Sequence, residues 1–393
     1  MRASEAFPWT VERQGVGRRG LTSTLCRGTQ SADVIRTEPQ QSTVLRVFTA
    51  VICLVSALHA DTVLSAEGDY DPLNVTTVES KPVDLEPLDP KRGRTVPIRI
   101  FLPPQSKPSP VILFSHGLGG SREGNAYLGK HWSARGYVVV FVQHPGSDES
   151  VWKDVPLLQR MQAMRKAASG RNLVLRCEDI RFVLDQLEQW NSDTSSRLHG
   201  RVDMSKVGMS GHSFGAHTTQ AVSGQTFGPL GQRYTDPRIR AAVAFSPGSA
   251  TGGNQDRAFG SVSVPWMLMT GTRDTAPVGN QTVESRREVY PALPPSIAKY
   301  ELVLFDGAHS AFSEGRRPGE GGSQNPNHHR VILALTTAFW DTWLKEDSAA
   351  RNWLHGDGPK NLRESKDEWQ FEPGPEPKKL DGTPERPRPS VVK

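Results

Sequence analysis

Apolar and polar residues follow two distinct periods between about residue 95 and residue 345 of this chain. Short, largely apolar runs are typical of buried strands, and stretches with helical spacing separate them. The pattern predicts strands near 96–103, 110–116, 136–143, 205–210, 239–246, 263–270 and 299–306, and helices near 174–190, 214–223, 282–290 and 328–345. This alternation predicts an α/β fold with a mainly parallel central sheet and helices on both faces.

One predicted strand leads directly into a sharp turn that carries a serine. The apolar residues 207–209 are followed by Gly211-His212-Ser213-Phe214-Gly215, and residues 216–222 favour a helix. A G-x-S-x-G sequence between a strand and a helix is typical of a nucleophile elbow, which exposes the serine hydroxyl at the tip of a strained turn. Ser213 is therefore the candidate nucleophile.

A serine nucleophile needs a base and an acid, and hydrolases with this elbow carry the acid first and the histidine last along the chain. His309 follows the strand-like run 300–305 beside Gly307, so it is the candidate general base. Asp274 follows the strand-like run from residue 264, and it is the candidate acid that accepts the imidazole Nδ1–H. Asp306 is a rival, but its place at the end of the same strand as His309 favours a loop-shaping role.

Each of these residues also has a purely structural interpretation, because serines form turns, histidines pack and aspartates cap helices. Their order along the chain favours catalysis. His212 and His217 flank the elbow where they cannot easily reach the Ser213 hydroxyl. His328 and His329 could suggest a metal ion, but adjacent helical residues do not share a face and no Cys, Asp or Glu cluster accompanies them. We therefore predict no metal site.

Acyl transfer also needs backbone N–H groups aimed at the oxygen on which negative charge develops. The residue after the nucleophile, Phe214, is one predicted donor. A second donor should come from a glycine-rich turn after an early central strand, and the run 111–116 leads into Gly117-Leu118-Gly119-Gly120. Leu118 is the predicted second donor.

Four segments together resemble the plasma-type platelet-activating-factor acetylhydrolases and the bacterial proteins grouped with dienelactone hydrolases: residues 114–120, 135–144, 176–187 and 211–216. The similarity spans about residues 95 to 345. It implies the α/β-hydrolase fold and a serine esterase with Leu118 and Phe214 as oxyanion donors. It also implies that no cofactor is used.

The chain departs from this resemblance in two places. The acetylhydrolases take their acid from the loop after the strand that follows the nucleophile helix, where this chain has Phe245-Ser246-Pro247-Gly248 and no carboxylate. The acid Asp274 lies one strand later, in a stretch that looks like that of bacterial cutinases and polyester hydrolases. Dienelactone hydrolases use a cysteine nucleophile, whereas this chain offers Ser213. The resemblance therefore favours ester hydrolysis and leaves the acetyl-phospholipid specificity open.

Residues 148–172 occupy the position at which hydrolases of this type insert a cap. Trp152, Val155, Leu158 and Met161 have helical spacing, and basic residues lie on the other side. Two interpretations stay open: a lid or lipid-contacting helix that receives an acyl group, and an amphipathic helix packed on the sheet, which is the preferred one.

An apolar run at residues 47–58, behind Arg46, is too short to span a bilayer as an ordinary helix and predicts a signal peptide over about residues 44–66. Cleavage after Ala60 or Ala66 is expected. About forty polar residues precede the run, which suggests that translation begins near Val44. The predicted organisation is a leader at 1–66, of which 1–43 would be a mis-called start, a catalytic domain at 67–372 and a disordered tail at 373–393.

Removal of the leader leaves Cys177 as the one remaining cysteine, so the mature chain has no internal disulfide. The first sixty residues hold seven arginines against four acidic residues, so the formal charge falls from +5 to about +2. Nucleic acid is therefore not an expected partner. The oligomeric state stays open.

The sequence as a whole predicts an exported serine hydrolase that cleaves short-to-medium acyl or acetyl-phospholipid-like esters, with a small-molecule or lipid ester as substrate. A cutinase-like polyester or lipid hydrolase is an alternative within the same chemistry. A non-catalytic binding protein with a hydrolase fold is the alternative of another class.

Overall fold

A computed structural model describes residues 70–75, 81–250, 252–314 and 325–375, all of which belong to one unit of the chain, Ala66–Lys393. The predicted leader lies outside the described residues, and so does the predicted tail from residue 376 onward. The signal peptide, its cleavage site and the translation start therefore remain predictions.

The described residues form eleven strands and ten α-helices. The strands are β1 (Val83–Leu85), β2 (Leu88–Asp89), β3 (Arg94–Thr95), β4 (Ile98–Phe101), β5 (Ser109–Ser115), β6 (Val138–Val142), β7 (Val202–His212), β8 (Ile239–Phe245), β9 (Trp266–Arg273), β10 (Lys299–Ala308) and β11 (Glu368–Glu372). The helices are α1 (Ala126–Ala134), α2 (Leu157–Ala167), α3 (Gly170–Ser192), α4 (Phe214–Val222), α5 (Gln255–Phe259), α6 (Val283–Arg287), α7 (Val289–Ala292), α8 (Pro326–Leu344), α9 (Ser348–His355) and α10 (Gly358–Leu362).

Among the described residues, nine strands form one sheet in the order β1-β4-β6-β5-β7-β8-β9-β10-β11, while β2 and β3 form a separate pair. Strands β6, β5, β7, β8, β9 and β10 run parallel to one another. Strands β1, β4 and β11 are antiparallel to their neighbours and close the two edges. The structure confirms the predicted mainly parallel sheet, and the chain has the α/β-hydrolase fold.

Both faces of the sheet are covered by helices. Val111 and Leu113 of β5 belong to the apolar cluster that includes residues of α3 and α4. Ile112 and Phe114 of the same strand belong to the cluster that includes residues of α1 and α8. Successive side chains of a strand point to opposite faces, so a strand that is covered on both sides is apolar throughout.

Helix α3 shows why the chain becomes helical where it does. Ser169 precedes its first residue, and the Ser169 hydroxyl accepts a hydrogen bond from the backbone N–H of Asn172. Ile180, Val183 and Leu187 recur at helical spacing and are fully buried against the sheet. A capped start and a continuous apolar stripe therefore define this helix.

Several elements were not predicted from the sequence: α1, α5, α9 and α10, the strands β1 to β3, and the edge strand β11. Strand β11 pairs with β10, where the Phe371 and Trp369 rings lie within about 6 Å of the Tyr300 ring. The predicted helix at 282–290 is two short helices, α6 and α7. No helix in the described parts of the chain combines the length and hydrophobicity that crossing a bilayer requires.

The predicted cap helix differs from expectation in two respects. It begins at Leu157, so Trp152 and Val155 precede it. It also does not pack on the sheet, because Ala167 is its one buried residue while Leu157 and Leu158 are 77% and 96% exposed. The preferred interpretation, an amphipathic helix packed on the sheet, was therefore wrong. We call residues 148–169 the lid.

Candidate active site

The turn between β7 and α4 holds its serine in a strained conformation. Ser213 has φ 57° and ψ −114°, a region that residues other than glycine rarely adopt. Such strain costs about 1–3 kcal/mol and persists only where the surroundings enforce it. A Cβ atom at Gly215 would lie 1.8 Å from the carbonyl oxygen of Ser115, and one at Gly211 would lie 2.4 Å from that of Gly215. Close packing therefore requires glycine on both sides of Ser213.

The hydroxyl of Ser213, the imidazole of His309 and the carboxylate of Asp274 form one line of hydrogen bonds. Ser213 Oγ lies 2.9 Å from His309 Nε2, and His309 Nδ1 lies 2.6 Å from Asp274 Oδ1. The three residues follow or end the parallel strands β7, β10 and β9, whose carboxyl ends meet at one edge of the sheet. Since a carboxylate only accepts, Nδ1 carries a hydrogen and Nε2 can take a proton from the serine hydroxyl.

Asp274 is fully buried and held from several sides. The Thr270 hydroxyl donates to Asp274 Oδ2 at 2.9 Å, and Arg286 Nε donates to the Asp274 backbone carbonyl at 2.9 Å. Burial by itself opposes ionisation of this carboxyl. The hydrogen bond and charge of His309, together with the charge of Arg286, outweigh burial and lower the pKa of Asp274 to about 2. The carboxylate is therefore ionised at neutral pH.

The rival carboxylate, Asp306, points elsewhere. Its backbone has φ 55°, and its side chain forms an ion pair of 2.8 Å with Arg273 at a partly exposed position. Its backbone N–H donates to the Thr272 hydroxyl. These contacts fit the loop-shaping role that was expected for Asp306.

The glycine-rich turn after β5 lies beside the serine. Leu118, Gly119, Ser213 and Phe214 line the same cavity. Among the described residues, neither the Leu118 N–H nor the Phe214 N–H donates to a backbone or side-chain acceptor. Phe214 is the first residue of α4, and the N–H groups in the first turn of a helix have no intrahelical partner. Both N–H groups could therefore bind an anionic oxygen near Ser213.

The lid is joined to this turn by hydrogen bonds. The Trp152 indole Nε1–H donates to the Gly119 carbonyl oxygen at 2.7 Å. The Gly119 N–H donates to the Ser147 carbonyl oxygen, and the Glu149 N–H donates to that of Gly120, both at 2.9 Å. Gly119 has φ 72°, and a Cβ atom there would lie 2.7 Å from the Met164 side chain. The lid and the turn are therefore packed into one unit.

The cavity beside Ser213 has a volume of about 1130 Å³. Trp152, Met161, Met164 and Leu173 give the cavity an apolar surface, and residues 275–281 also line it. Pockets for small molecules usually measure about 300–1,000 Å³, so this one is large enough for an extended ester.

A second Ser, His and Asp arrangement lies beneath the glycine-rich turn. Ser115 Oγ is 2.9 Å from His144 Nε2, and His144 Nδ1 is 3.0 Å from Asp179 Oδ2. All three side chains have no exposed surface. A buried hydroxyl cannot reach a substrate, so this second arrangement is structural.

The four other histidines considered from the sequence lie outside the line of hydrogen bonds from Ser213 to Asp274. His212 Nε2 is 3.1 Å from the His309 carbonyl oxygen, and the two rings lie 4.6 Å apart. His217 lines the cavity, and burial followed by the charges of Arg286 and Arg176 lowers its pKa to about 4. His328 contacts the Phe305 carbonyl oxygen, and His329 stacks on Tyr127. Within the described residues, no group of three or more His, Cys, Asp or Glu side chains is arranged to hold a metal ion.

The sequence did not reveal two residues that shape the site, Arg286 and Arg176. Arg286 lies on α6 and donates at 2.8 Å to the carbonyl oxygens of both Ser246 and Pro247, besides contacting Asp274. It therefore joins the loop after β8 to the loop after β9. Arginines usually lie on the surface, so only their burial in the folded protein marks these two as part of the site.

Comparisons with known proteins agree with the fold. A family model described as platelet-activating factor acetylhydrolase, isoform II, matches residues 98–176. Cutinase 2 of Thermobifida cellulosilytica is 25% identical over 54% of this chain and 64% of its own length, and cutinase cut1 of Thermobifida fusca is 25% identical over 54% and 53%. Platelet-activating factor acetylhydrolase of Cavia porcellus is 29% identical over 35% of each chain.

These matches confirm the predicted resemblance to the acetylhydrolases and the cutinases. The chain is an α/β-hydrolase-fold protein that resembles both groups. It spans less than two thirds of the length of each of these relatives.

Proposed function

We propose that this protein is a serine hydrolase that cleaves carboxylic esters through an acyl-enzyme. The observation that carries the proposal is the continuous line of hydrogen bonds from Ser213 through His309 to Asp274, beside a cavity large enough for an ester. The similarity to cutinases and to a platelet-activating factor acetylhydrolase supports the same reaction class.

The geometry supports the following steps. Ser213 Oγ attacks the ester carbonyl carbon while His309 Nε2 takes the hydroxyl proton. The carbonyl oxygen becomes an oxyanion, which the N–H groups of Leu118 and Phe214 bind. His309 then donates its proton to the departing alcohol, and water releases the acid from Ser213 by the same sequence of transfers. Asp274 keeps Nδ1 protonated and stabilises the imidazolium.

The cavity supports a substrate with an apolar acyl part. The lid side chains Trp152, Met161 and Met164 offer an apolar surface beside Ser213, which suits a short-to-medium acyl chain or an acetyl-phospholipid-like ester. A polyester or lipid hydrolase of the cutinase kind is the second candidate, because several cutinases match the chain and Asp274 follows β9. A polymer substrate needs an open surface, and the lid residues that line the cavity would narrow the access to Ser213.

The outer face of the lid supports contact with a lipid surface. Leu157 and Leu158 project into solvent. The exposed side chains of Arg165 and Lys166 lie on the same helix and would favour an anionic surface. In this arrangement the substrate would pass from the surface to the cavity along the lid.

We also propose that the protein is exported. The support is the apolar run at residues 47–58 behind Arg46. Sequencing the N-terminus of the protein recovered from outside the cytoplasm tests both parts of this proposal. A start at Asp61 or Glu67 supports cleavage after Ala60 or Ala66, and residues before 44 in exported material would overturn the proposed start.

The reaction is tested with p-nitrophenyl esters from acetyl to palmitoyl, a phospholipid and a polyester, using the full chain and Ser213→Ala. We expect hydrolysis by the full chain and a loss of at least about 10³-fold in the variant. The preferred acyl length distinguishes a small-acyl esterase from a lipid or polymer hydrolase. A folded protein without activity on any ester would favour the non-catalytic binding protein.

A further inference from the structure

Arg176 is a fully buried arginine that the proposed reaction does not use. It lies on α3, and no ion pair within the described residues involves it, since the carboxylate of Asp179 pairs with Arg92, Arg94 and His144 instead. Burial lowers the pKa of the Arg176 guanidinium. Burying a charge without a directly paired carboxylate costs free energy of folding. The other contacts of Arg176 should therefore explain why this position holds an arginine.

Those contacts lead to both predicted oxyanion donors. On the Leu118 side, Arg176 Nη1 donates to the His116 carbonyl oxygen at 2.8 Å. Arg176 Nε donates to the Ser147 hydroxyl at 2.9 Å, and the Ser147 carbonyl oxygen in turn accepts the Gly119 N–H. The residues on either side of the Gly117-Leu118 segment are thus held by one guanidinium.

On the Phe214 side, the guanidinium carbon lies 4.5 Å from the centre of the Phe214 ring, within cation–π range. Arg176 Nη1 also lies 3.4 Å from the Thr218 hydroxyl, which donates to the Phe214 carbonyl oxygen at 3.1 Å. The first turn of α4 is therefore attached to the same guanidinium as the glycine-rich turn.

The second Ser, His and Asp arrangement supports Arg176 from below. A guanidinium only donates, so the Ser115 hydroxyl accepts from Arg176 Nη1 at 3.2 Å and donates its own hydrogen to His144 Nε2. His144 is then neutral and donates from Nδ1 to Asp179. The neutral side chains of Ser115 and His144 thus connect the Arg176 guanidinium to the Asp179 carboxylate. Asp179 itself forms no ion pair with Arg176.

We propose that Arg176 is a positioning residue that holds the N–H groups of Leu118 and Phe214 in place for the oxyanion and adds positive charge behind them. This inference rests on the proposed function. Fixed donors and charges that act where negative charge develops stabilise the transition state more than the bound substrate. Loss of Arg176 should therefore lower kcat and leave KM nearly unchanged.

The test compares Arg176→Met, Arg176→Lys and the control Arg135→Met in the full chain. Arg135 is also mostly buried, and it binds Asp341 and the carbonyl oxygens of Asp71 and Asn74, away from Ser213. We measure kcat and KM on one soluble ester, and the affinities of a boronic acid, which becomes a tetrahedral anion on Ser213, and of an uncharged substrate-like amide.

We expect Arg176→Met to lower kcat and the boronic acid affinity together, by about 30- to 100-fold, with amide affinity and KM changed less than about threefold. Arg176→Lys, which keeps the charge, should regain part of the loss. Arg135→Met should lose stability and keep kcat within about twofold. If Arg176→Met does not fold, the inference is tested by comparing Arg176→Lys with Arg135→Met, again by kcat, KM and the two affinities.

Two results would overturn the inference: a folded Arg176 variant with unchanged kcat, or one in which amide and boronic acid affinities fall equally, which is the sign of a merely disturbed pocket. Failure of the proposed function looks different. The unaltered protein would then hydrolyse no ester, and Ser213→Ala would change nothing.

Discussion

The indole N–H of Trp152 donates to the carbonyl oxygen of Gly119 at 2.7 Å, which joins the lid to the turn that carries the Leu118 N–H. Arg160 lies over the Trp152 ring at 5.4 Å and attaches the same side chain to helix α2. The position of the lid and the geometry of the proposed oxyanion hole are therefore coupled.

Trp152→Phe removes this hydrogen bond and keeps most of the apolar ring. One hydrogen bond is worth about 1 kcal/mol, so kcat should fall about fivefold to tenfold. Preference for longer acyl chains should also weaken, because the ring lines the cavity. Steady-state kinetics across the p-nitrophenyl series measure both effects. Trp190→Phe, outside this cavity, is the matched control, and equal losses in the two variants would contradict the coupling.

Asp274→Asn and Asp306→Asn distinguish the two candidate acids. The first change removes the carboxylate that keeps His309 Nδ1 protonated, and kcat should fall by about 10⁴-fold. The second removes an ion pair with Arg273 on a partly exposed loop, and kcat should stay within about twofold. The rates on one soluble ester measure the difference. A severe loss of kcat in Asp306→Asn, without one in Asp274→Asn, would identify Asp306 as the acid instead.

The exposed leucines of the lid give a prediction about surfaces. The double change Leu157→Ser and Leu158→Ser should leave hydrolysis of dissolved short esters unchanged and reduce hydrolysis of esters in anionic vesicles at least about fivefold. Little stability should be lost, because both side chains are exposed in the folded protein. Leu88→Ser, at another exposed leucine, is the control. Unchanged hydrolysis of the vesicle esters by the double variant would contradict the proposed contact between the lid and a lipid surface.

Gly215→Ala should strongly destabilise the folded protein. The new Cβ atom would lie 1.8 Å from the backbone carbonyl oxygen of Ser115, and backbone cannot easily move away. We expect a destabilisation of about 3 kcal/mol or more, measured by urea unfolding. Gly170→Ala is the control, since a Cβ atom there meets nothing within 4 Å. A Gly215→Ala protein as stable as Gly170→Ala would mean that the elbow is less closely packed than the structure indicates.

Acid should destabilise the folded protein between about pH 6.5 and pH 4. Burial lowers the pKa of His144 and of His217 to about 4 each, and that of His116 well below its usual value. Between these values and the ordinary pKa of 6.5, the unfolded chain binds protons that the folded protein does not, so stability falls as pH falls. Each such histidine adds about 1.4 kcal/mol per pH unit to the slope. Urea unfolding at several pH values measures it.

His217→Gln tests the cause of this pH dependence, because it should reduce the slope by the contribution of one group. His329→Gln alters a half-buried histidine that stacks on Tyr127, and its smaller pKa decrease predicts a smaller change in slope. A slope that both variants leave intact would assign the acid sensitivity to other groups.

The sequence by itself determined the α/β fold and the order of the residues proposed for catalysis. Buried parallel strands are apolar throughout, so their runs are visible, and the loops after parallel strands must meet at one edge. Ser213, Asp274 and His309 each follow or end such a strand, which is why the sequence could place them together before any distance was known. Leu118 and Phe214 could be named for the same reason.

Only the tertiary structure decided what surrounds these residues. The choice between Asp274 and Asp306 depends on the direction in which each loop points its side chains. Packing against neighbouring strands determines that direction, and the local sequence does not. The lid helix exposes its leucines because no residue in the described parts of the chain packs over them, although their spacing alone fits a buried face equally well. Arg176 and Arg286 enter the site through contacts with residues 12 to 61 positions away in the chain. Contacts of that kind depend on how the whole chain packs, so no local pattern of residues encodes them.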